Sequence, residues 1–358
     1  MISSDIPSSS GGESNVVDGD RHVVVGVLYP PDWYGDRGRF DAEIDALRAI
    51  DDRIDVVVER YDEPHARRAG APDMPPEPEL SEAQRAAFAR IEVALTIDLP
   101  TNLAELAPNL RWVQSIAAGP NHLVPKVRTV GARLTNNGGS NAVGIAEFVM
   151  ARILEHWKAL TDIGALQRDH RWEARFGREL AGSTLGLLGF GPINQAVAAR
   201  ATAFGMRVLV VRRSPGDVPP GIERVVGEDG LLEVLGESDV VVSAVPETPA
   251  TIGMIGAAQF AAMPGGAFFC NVGRGSLVDE PALIAALHAG HLGGAAIDVA
   301  HVEPLPAGDP LWDAPRLRIS AHCSSVPASM FPGMHRTFRD NVVRYLAGEP
   351  LAGEVDLG

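Results

Sequence analysis

Unbroken runs of β-branched and aliphatic residues, each followed by a helix-like segment, recur along this 358-residue chain. VVVGVL (23–28), IDVVVE (54–59), VALTI (93–97) and LRWVQSI (110–116) are interleaved with segments such as FDAEIDALRAI and LSEAQRAAFARI. A strand that is apolar on both faces must be covered on both faces, the mark of a parallel sheet between two helix layers. After a long helical segment, NAVGIAEFVMARILEHWKAL (141–160), a second and more regular series begins. It comprises TLGLLG (184–189), RVLVV (207–211), DVVVSAV (239–245), AFFCNV (267–272), GAAIDV (293–298) and LRIS (317–320). The expected fold is α/β, with two Rossmann-like domains built on parallel sheets, and the length suits two domains of ordinary size. FRDNVVRYLAGEP reads as a last helix stopped by Gly348 and Pro350. Residues 1–20, rich in Ser, Gly and Asp, read as a flexible tail, and the Pro-rich stretch 64–80 reads as a surface loop.

Charge narrows the partners. Thirty-one basic against 46 acidic residues leave a net charge of −15, which disfavours nucleic acid and anionic membranes. Two cysteines, Cys270 and Cys323, are too few for a disulfide framework or a paired-cysteine metal site, so no metal is expected. With no signal-peptide pattern and no apolar run of membrane-spanning length, the chain reads as cytoplasmic. An anionic ligand would then depend on a few well-placed donors.

One such place follows the strand TLGLLG. Gly189-Phe190-Gly191-Pro192-Ile193-Asn194 leads into the helix-like QAVAARATAFG. Two close glycines permit a tight strand-to-helix turn and a close backbone approach to a pyrophosphate, and Pro192 suits the first helical position. The helix N-terminus then faces an anion. A G-x-G pair is weak evidence alone, and Asn194 replaces the usual third small residue; the strand before and the helix after supply the context. The next strand ends in Arg212-Arg213-Ser214, where an NAD-selective site usually carries an acidic residue for the ribose 2′-hydroxyl. Two arginines and a serine suit a 2′-phosphate, so NADP(H) is expected over NAD(H).

The run NVGRGSLVDEPALIAALHAGHLGGAAIDVAHVEPLPAGDPLWDAPRLRISAH (271–322) strongly resembles the D-isomer-specific 2-hydroxyacid dehydrogenases. LRWVQSIAAGPNHL, NAVGIAEFVMARIL, the glycine turn and VPETPATIGMIG (245–256) fall in the order that family has. The resemblance spans roughly residues 90–350. It implies a substrate-binding, flavodoxin-like domain of residues 21–140 plus 326–358 and an NAD(P)-binding Rossmann domain of residues 141–325, with the active site between them. It also implies a homodimer.

Three side chains carry the implied chemistry, and each can be argued on its own. Arg274 lies just past the strand AFFCNV, at the carboxyl end where open α/β sheets bind ligands, and its guanidinium can grip a carboxylate and polarise a neighbouring carbonyl. Taken alone, an arginine after a strand is as readily a surface ion pair. His322 follows LRIS at another strand end, and histidine is the natural proton donor to the oxygen when a ketone receives hydride. His301 is its one rival, ranked behind because the resemblance puts the acid at His322. Glu303 matches the glutamate that orients that histidine and helps it hold its proton.

The resemblance further implies that the backbone N–H groups of Ala118 and Gly119 bind the substrate carboxylate, that Asp298 contacts the nicotinamide carboxamide, and that Val245, Pro246, Val272, Gly273 and Ser324 line the cofactor. Pro120 and Asn121 depart from the more usual residues after the 118–119 pair. In SAHCSS (320–325), Cys323, Ser324 and Ser325 replace small apolar and glycine residues beside the nicotinamide. The expected reaction is reversible reduction of a small 2-oxo acid to a D-2-hydroxy acid, glyoxylate or hydroxypyruvate being favoured. The alternative is a dinucleotide-sensing regulatory protein of the same fold with little turnover.

Overall fold

A computed structural model describes residues 21–357 except 62, 65, 66 and 68–74, so the expected tail and part of the Pro-rich loop lie outside the described residues. Each apolar run forms a strand. β1 (Val23–Val27), β2 (Ile54–Val58), β3 (Val93–Thr96), β4 (Trp112–Ser115) and β5 (Arg133–Thr135) pair in the order β2-β1-β3-β4-β5, all parallel. β6 (Thr184–Leu188), β7 (Arg207–Val211), β8 (Arg224–Val226), β9 (Val240–Ser243), β10 (Ala267–Asn271), β11 (Leu292–Ile297) and β12 (Leu317–Ile319) form a second parallel sheet, ordered β12-β11-β10-β9-β6-β7-β8. These are the flavodoxin-like and dinucleotide-binding strand orders. The second order reverses between β6 and β9, and that is where a crevice opens at the strand ends. β5 and β8 escape a sequence reading because three residues at a sheet edge make no apolar run.

Alternate residues of each strand feed two separate cores. In the second sheet Leu185, Leu187, Val208, Val210 and Val242 face one core, while Leu188, Leu209, Val211, Val241 and Phe269 face the other. Burial on both faces is what the unbroken apolar runs encode. On the first of these faces lie α5 (Ala142–Trp157) and α7 (Pro192–Ala203), with Ile145, Val149, Ile153 and Val197 in that core. The other face carries α8 (Leu231–Glu237), α9 (Ala257–Ala262) and α10 (Glu280–His288). In the first sheet α1 (Arg37–Arg48) and α11 (Pro327–Leu346) cover one face, and α2 (Glu82–Arg90), α3 (Leu103–Leu106) and α4 (Val124–Arg128) the other.

Two helices differ from their sequence outlines. The segment 141–160 does not run straight on, because Ala159 takes a left-handed φ of 53° and a separate α6 (Leu160–Arg168) begins there. The last helix starts at Pro327 instead of Phe338 and carries Pro332 inside it. Its buried face of Phe331, Met334, Phe338 and Val342 packs on the first sheet, and that packing outweighs the missing N–H. Among the described residues no helix is long and apolar enough to cross a membrane.

Candidate active site

The strand ends of the two sheets enclose a cavity of about 440 Å³. Ile97, Ile116, Ala117, Ala118 and Gly119 line it from the ends of β3 and β4, and Ile193, Val272, Arg274, Asp298, Glu303 and His322 from the second sheet. The size lies within the range of small-molecule sites. Residues separated by more than 200 positions meet here because both sheets point their carboxyl ends inward.

Arg274 emerges from the turn after β10. Asn271, the last residue of β10, fixes that turn: its Nδ2 donates to the Arg274 carbonyl at 2.8 Å and its Oδ1 accepts from Gly273 N–H at 3.1 Å. The guanidinium reaches across the cleft, Nη2 donating to the Gly119 carbonyl at 3.1 Å and Nη1 to the Gly273 carbonyl at 2.7 Å. A Cβ on residue 119 would lie 1.9 Å from Nη2, so any larger residue there would push the guanidinium aside. Burial pushes the guanidinium pKa down, opposed by the carboxylates of Glu247 and Glu303. The guanidinium is partly buried, and its planar fork can take a carboxylate in two parallel bonds.

His322 and Glu303 meet as the sequence pattern implies. Nδ1 of His322 lies 3.0 Å from Oε2 of Glu303, while Oε1 accepts the Ala300 N–H at 3.0 Å, so both carboxylate oxygens are committed and the ring is oriented. The histidine is half exposed toward the cavity and the glutamate is largely covered. The rival His301 also lines the cavity, and its N–H donates to Glu280 at 2.7 Å. Burial raises the pKa of Glu280.

Asp298 is buried at the end of β11 and serves the segment that carries His322. Its Oδ1 accepts from Ser320 Oγ (2.6 Å) and Cys323 N–H (3.0 Å), its Oδ2 from Ser324 N–H (3.0 Å), and its carbonyl from His322 N–H (2.8 Å). Four bonds from one aspartate bracket the histidine on both sides.

The turn expected to take the dinucleotide sits at the reversal of strand order. Gly189 has φ +81°, closed to most side chains, and a Cβ there would also meet Val245 at 2.8 Å. At Gly191 a Cβ would touch nothing, which leaves room for a ligand against the backbone. Among the described residues no side chain caps α7 and the N–H groups of Gly191 and Ile193 have no hydrogen-bond partner. Asn194, unexpected at this position, is fully buried and ties the turn down, its Nδ2 donating to the carbonyls of Leu188 (2.9 Å) and Gly189 (2.8 Å). Val245 and Pro246 follow β9, with Val245 beside Gly189, and Val272 and Gly273 follow β10, with Val272 lining the cavity. At the end of β7, Arg213 and Ser214 are exposed, whereas the Arg212 guanidinium folds back on the carbonyls of Pro215 and Asp217. An open glycine cradle, unclaimed amides at a helix start and a strand end without a carboxylate fit a phosphorylated dinucleotide.

Several lining residues escape sequence reasoning. Asn141 and Ile145 reach the cavity from the first turns of α5, and Met330 from α11. Glu247 and Ser276 do so from the loops after β9 and β10, where the strand-end rule gives the only available signal.

Two parallel α/β domains, with a histidine–glutamate pair and an arginine in one cavity beside a glycine turn, fit a dinucleotide-dependent oxidoreductase. The model of the D-isomer specific 2-hydroxyacid dehydrogenase NAD binding domain matches residues 150–324. A glyoxylate reductase of Korarchaeum cryptofilum is 32% identical over 265 residues, covering 71% of this chain and 79% of that protein. A D-isomer specific 2-hydroxyacid dehydrogenase from Xanthobacter autotrophicus, solved with NADPH and MES, is 30% identical with a TM-score of 0.75, over 94% of this chain and 98% of that one. An NADPH-dependent glyoxylate/hydroxypyruvate reductase from Sinorhizobium meliloti, solved with NADP and sulfate, is 26% identical with a TM-score of 0.75, over 94% and 99% of the two chains. The chain belongs to the D-isomer specific 2-hydroxyacid dehydrogenase family.

Proposed function

We propose that this enzyme reduces a small 2-oxo acid, glyoxylate or hydroxypyruvate, to the D-2-hydroxy acid and prefers NADP(H) to NAD(H). The observation that carries the reading is the convergence of Arg274, Glu303 and His322 on one cavity beside the glycine turn. Gly189, residues 191–193, 212–214, 245–246 and 272–273, Asp298 and Ser324 would hold the dinucleotide, which when bound supplies the hydride. Arg274 and the N–H groups of Ala118 and Gly119 hold the substrate carboxylate and fix the carbonyl carbon in the cavity. With Nδ1 turned to Glu303, His322 gives the Nε2 proton to the substrate oxygen, and Glu303 stabilises the ring while it is charged. In the oxidative direction the same nitrogen takes the proton back.

The NADP(H) preference is supported by Arg212, Arg213 and Ser214 at the end of β7 and by the NADPH and NADP in the two solved relatives. Of the two arginines, Arg213 is the better placed to meet a 2′-phosphate, since Arg212 is occupied by its own loop. A homodimer belongs to the same reading. The segment after α6 exposes Trp172 and Phe176 almost completely, at 104% and 92%, and aromatic side chains so displayed mark a contact surface. A cytoplasmic setting is in keeping with two unpaired cysteines.

Purified protein assayed at 340 nm against glyoxylate, hydroxypyruvate, pyruvate and 2-oxoglutarate, with NADPH and with NADH, tests the substrate and cofactor assignments together. Consumption of NADPH with the first two is expected. Tight NADPH binding without turnover of any 2-oxo acid would instead favour a sensing role.

A further inference from the structure

The cavity wall holds one more carboxylate, and it bridges the cleft. Glu247 follows β9; its Oε2 accepts from Ser276 Oγ, and both its Oε1 and its main-chain carbonyl lie 3.3 Å from Nδ2 of Asn121. Asn121 stands two residues after Gly119, on the loop whose amides are read above as the carboxylate site. That loop is therefore gripped twice from the opposite domain, at Gly119 by Arg274 and at Asn121 by Glu247. The loop amides and the guanidinium can hold one carboxylate together only if their separation is kept, and small losses of such alignment are costly.

A carboxylate suits the task, since its two oxygens take donors from two directions at once. Ser276 fixes one oxygen within its own domain and leaves the other to meet Asn121. Glu247 also acts electrostatically on Arg274, yet no Glu247–Arg274 ion pair within 4 Å occurs among the described residues, so its contacts are with the loop and not with the anion-gripping group.

We propose that Glu247 is a positioning residue that latches the 118–121 loop of the first domain onto the second through Asn121, with Ser276 holding its side chain in place. The proposal rests on the assignment of that loop and Arg274 to the substrate carboxylate.

The test is a double-variant cycle of Glu247→Ala and Asn121→Ala, with Glu247→Gln as the conservative variant. Kinetics with NADPH and glyoxylate are read beside calorimetric binding of oxamate. Loss of a hydrogen bond of this kind should raise the 2-oxo acid KM and the oxamate Kd by roughly 3- to 10-fold, with kcat changed by less than about twofold and the NADPH KM unmoved. The double variant should be no worse than Asn121→Ala, the single change that removes both bonds to Glu247. Gln, which keeps the acceptor Oε1, should restore most of the affinity. An unchanged KM in both alanine variants, fully multiplicative effects in the double variant, or Gln behaving like Ala would overturn the latch while leaving the site assignment intact. A wild type active on no 2-oxo acid would overturn that assignment and the latch with it.

Discussion

His322 holds a left-handed φ of 51°, a conformation that costs a non-glycine residue about 1 to 2 kcal/mol. It persists because Asp298 bonds Ser320, the His322 N–H, Cys323 and Ser324 and leaves the segment no alternative. Asp298→Asn removes one acceptor oxygen and turns an NH2 group against amide donors. Turnover should fall by about 10- to 100-fold, consistent with the loss of roughly 1.4 to 2.7 kcal/mol of alignment, while NADPH affinity measured by fluorescence titration changes little. If cofactor affinity fell first, Asp298 would serve the carboxamide, as the family resemblance implies. His322→Ala should cost about 10² to 10⁴ in turnover with cofactor affinity nearly intact, as expected for a lost general acid. Near-normal steady-state rates would remove it from that role.

At the level of elements, the site is assembled from strand ends and the turns that follow them. The turn after β7 is the proposed seat of cofactor choice, so Arg213→Asp should lower kcat/KM for NADPH and move the preference toward NADH, with the ratio of the two kcat/KM values as the measure. An unchanged ratio would sink the 2′-phosphate assignment. The loop after β4 approaches Arg274 so closely that Gly119→Ala must displace either the loop or the guanidinium. The KM for the 2-oxo acid should rise by about tenfold or more, read against an unchanged KM for NADPH, given the cost of misplacing a substrate-gripping group. The placement of these turns at strand ends was legible in the sequence, because Gly189-x-Gly191, Arg274 and His322 each stand just past an apolar run. That Asn194 would tie the turn to Leu188 and Gly189 was not legible, since its role depends on side-chain direction inside the packed helix.

For the whole molecule, acid stability turns on the first domain's core. His335 is fully buried on α11 with its Nε2 2.6 Å from the Tyr29 hydroxyl, and burial lowers its pKa from 6.5 to about 4. The folded chain thus carries it neutral where the unfolded chain would already be protonated. Between about pH 6.5 and 4 the unfolded state binds the extra proton, so stability present above that window is lost as pH falls through it, by up to about 3 kcal/mol. Urea unfolding midpoints at pH 7 and pH 5 should differ more in the wild type than in His335→Gln; equal slopes would exclude this histidine as the cause. The proposed association of two chains is tested at the same scale. Trp172→Ala with Phe176→Ala should shift the mass measured by light scattering from dimer to monomer, because both rings lie open on one chain.

The parallel α/β fold and the strand-end position of each chemical group are readable from the residues alone, because apolar burial on two faces and backbone geometry at turns are local properties written into runs of residues. The contacts that join the two domains come from tertiary packing. Gly119 meets Arg274 across 155 positions and Asn121 meets Glu247 across 126. Such pairs have no local signature, since what brings them together is the way two independently built sheets turn their carboxyl ends toward one cavity.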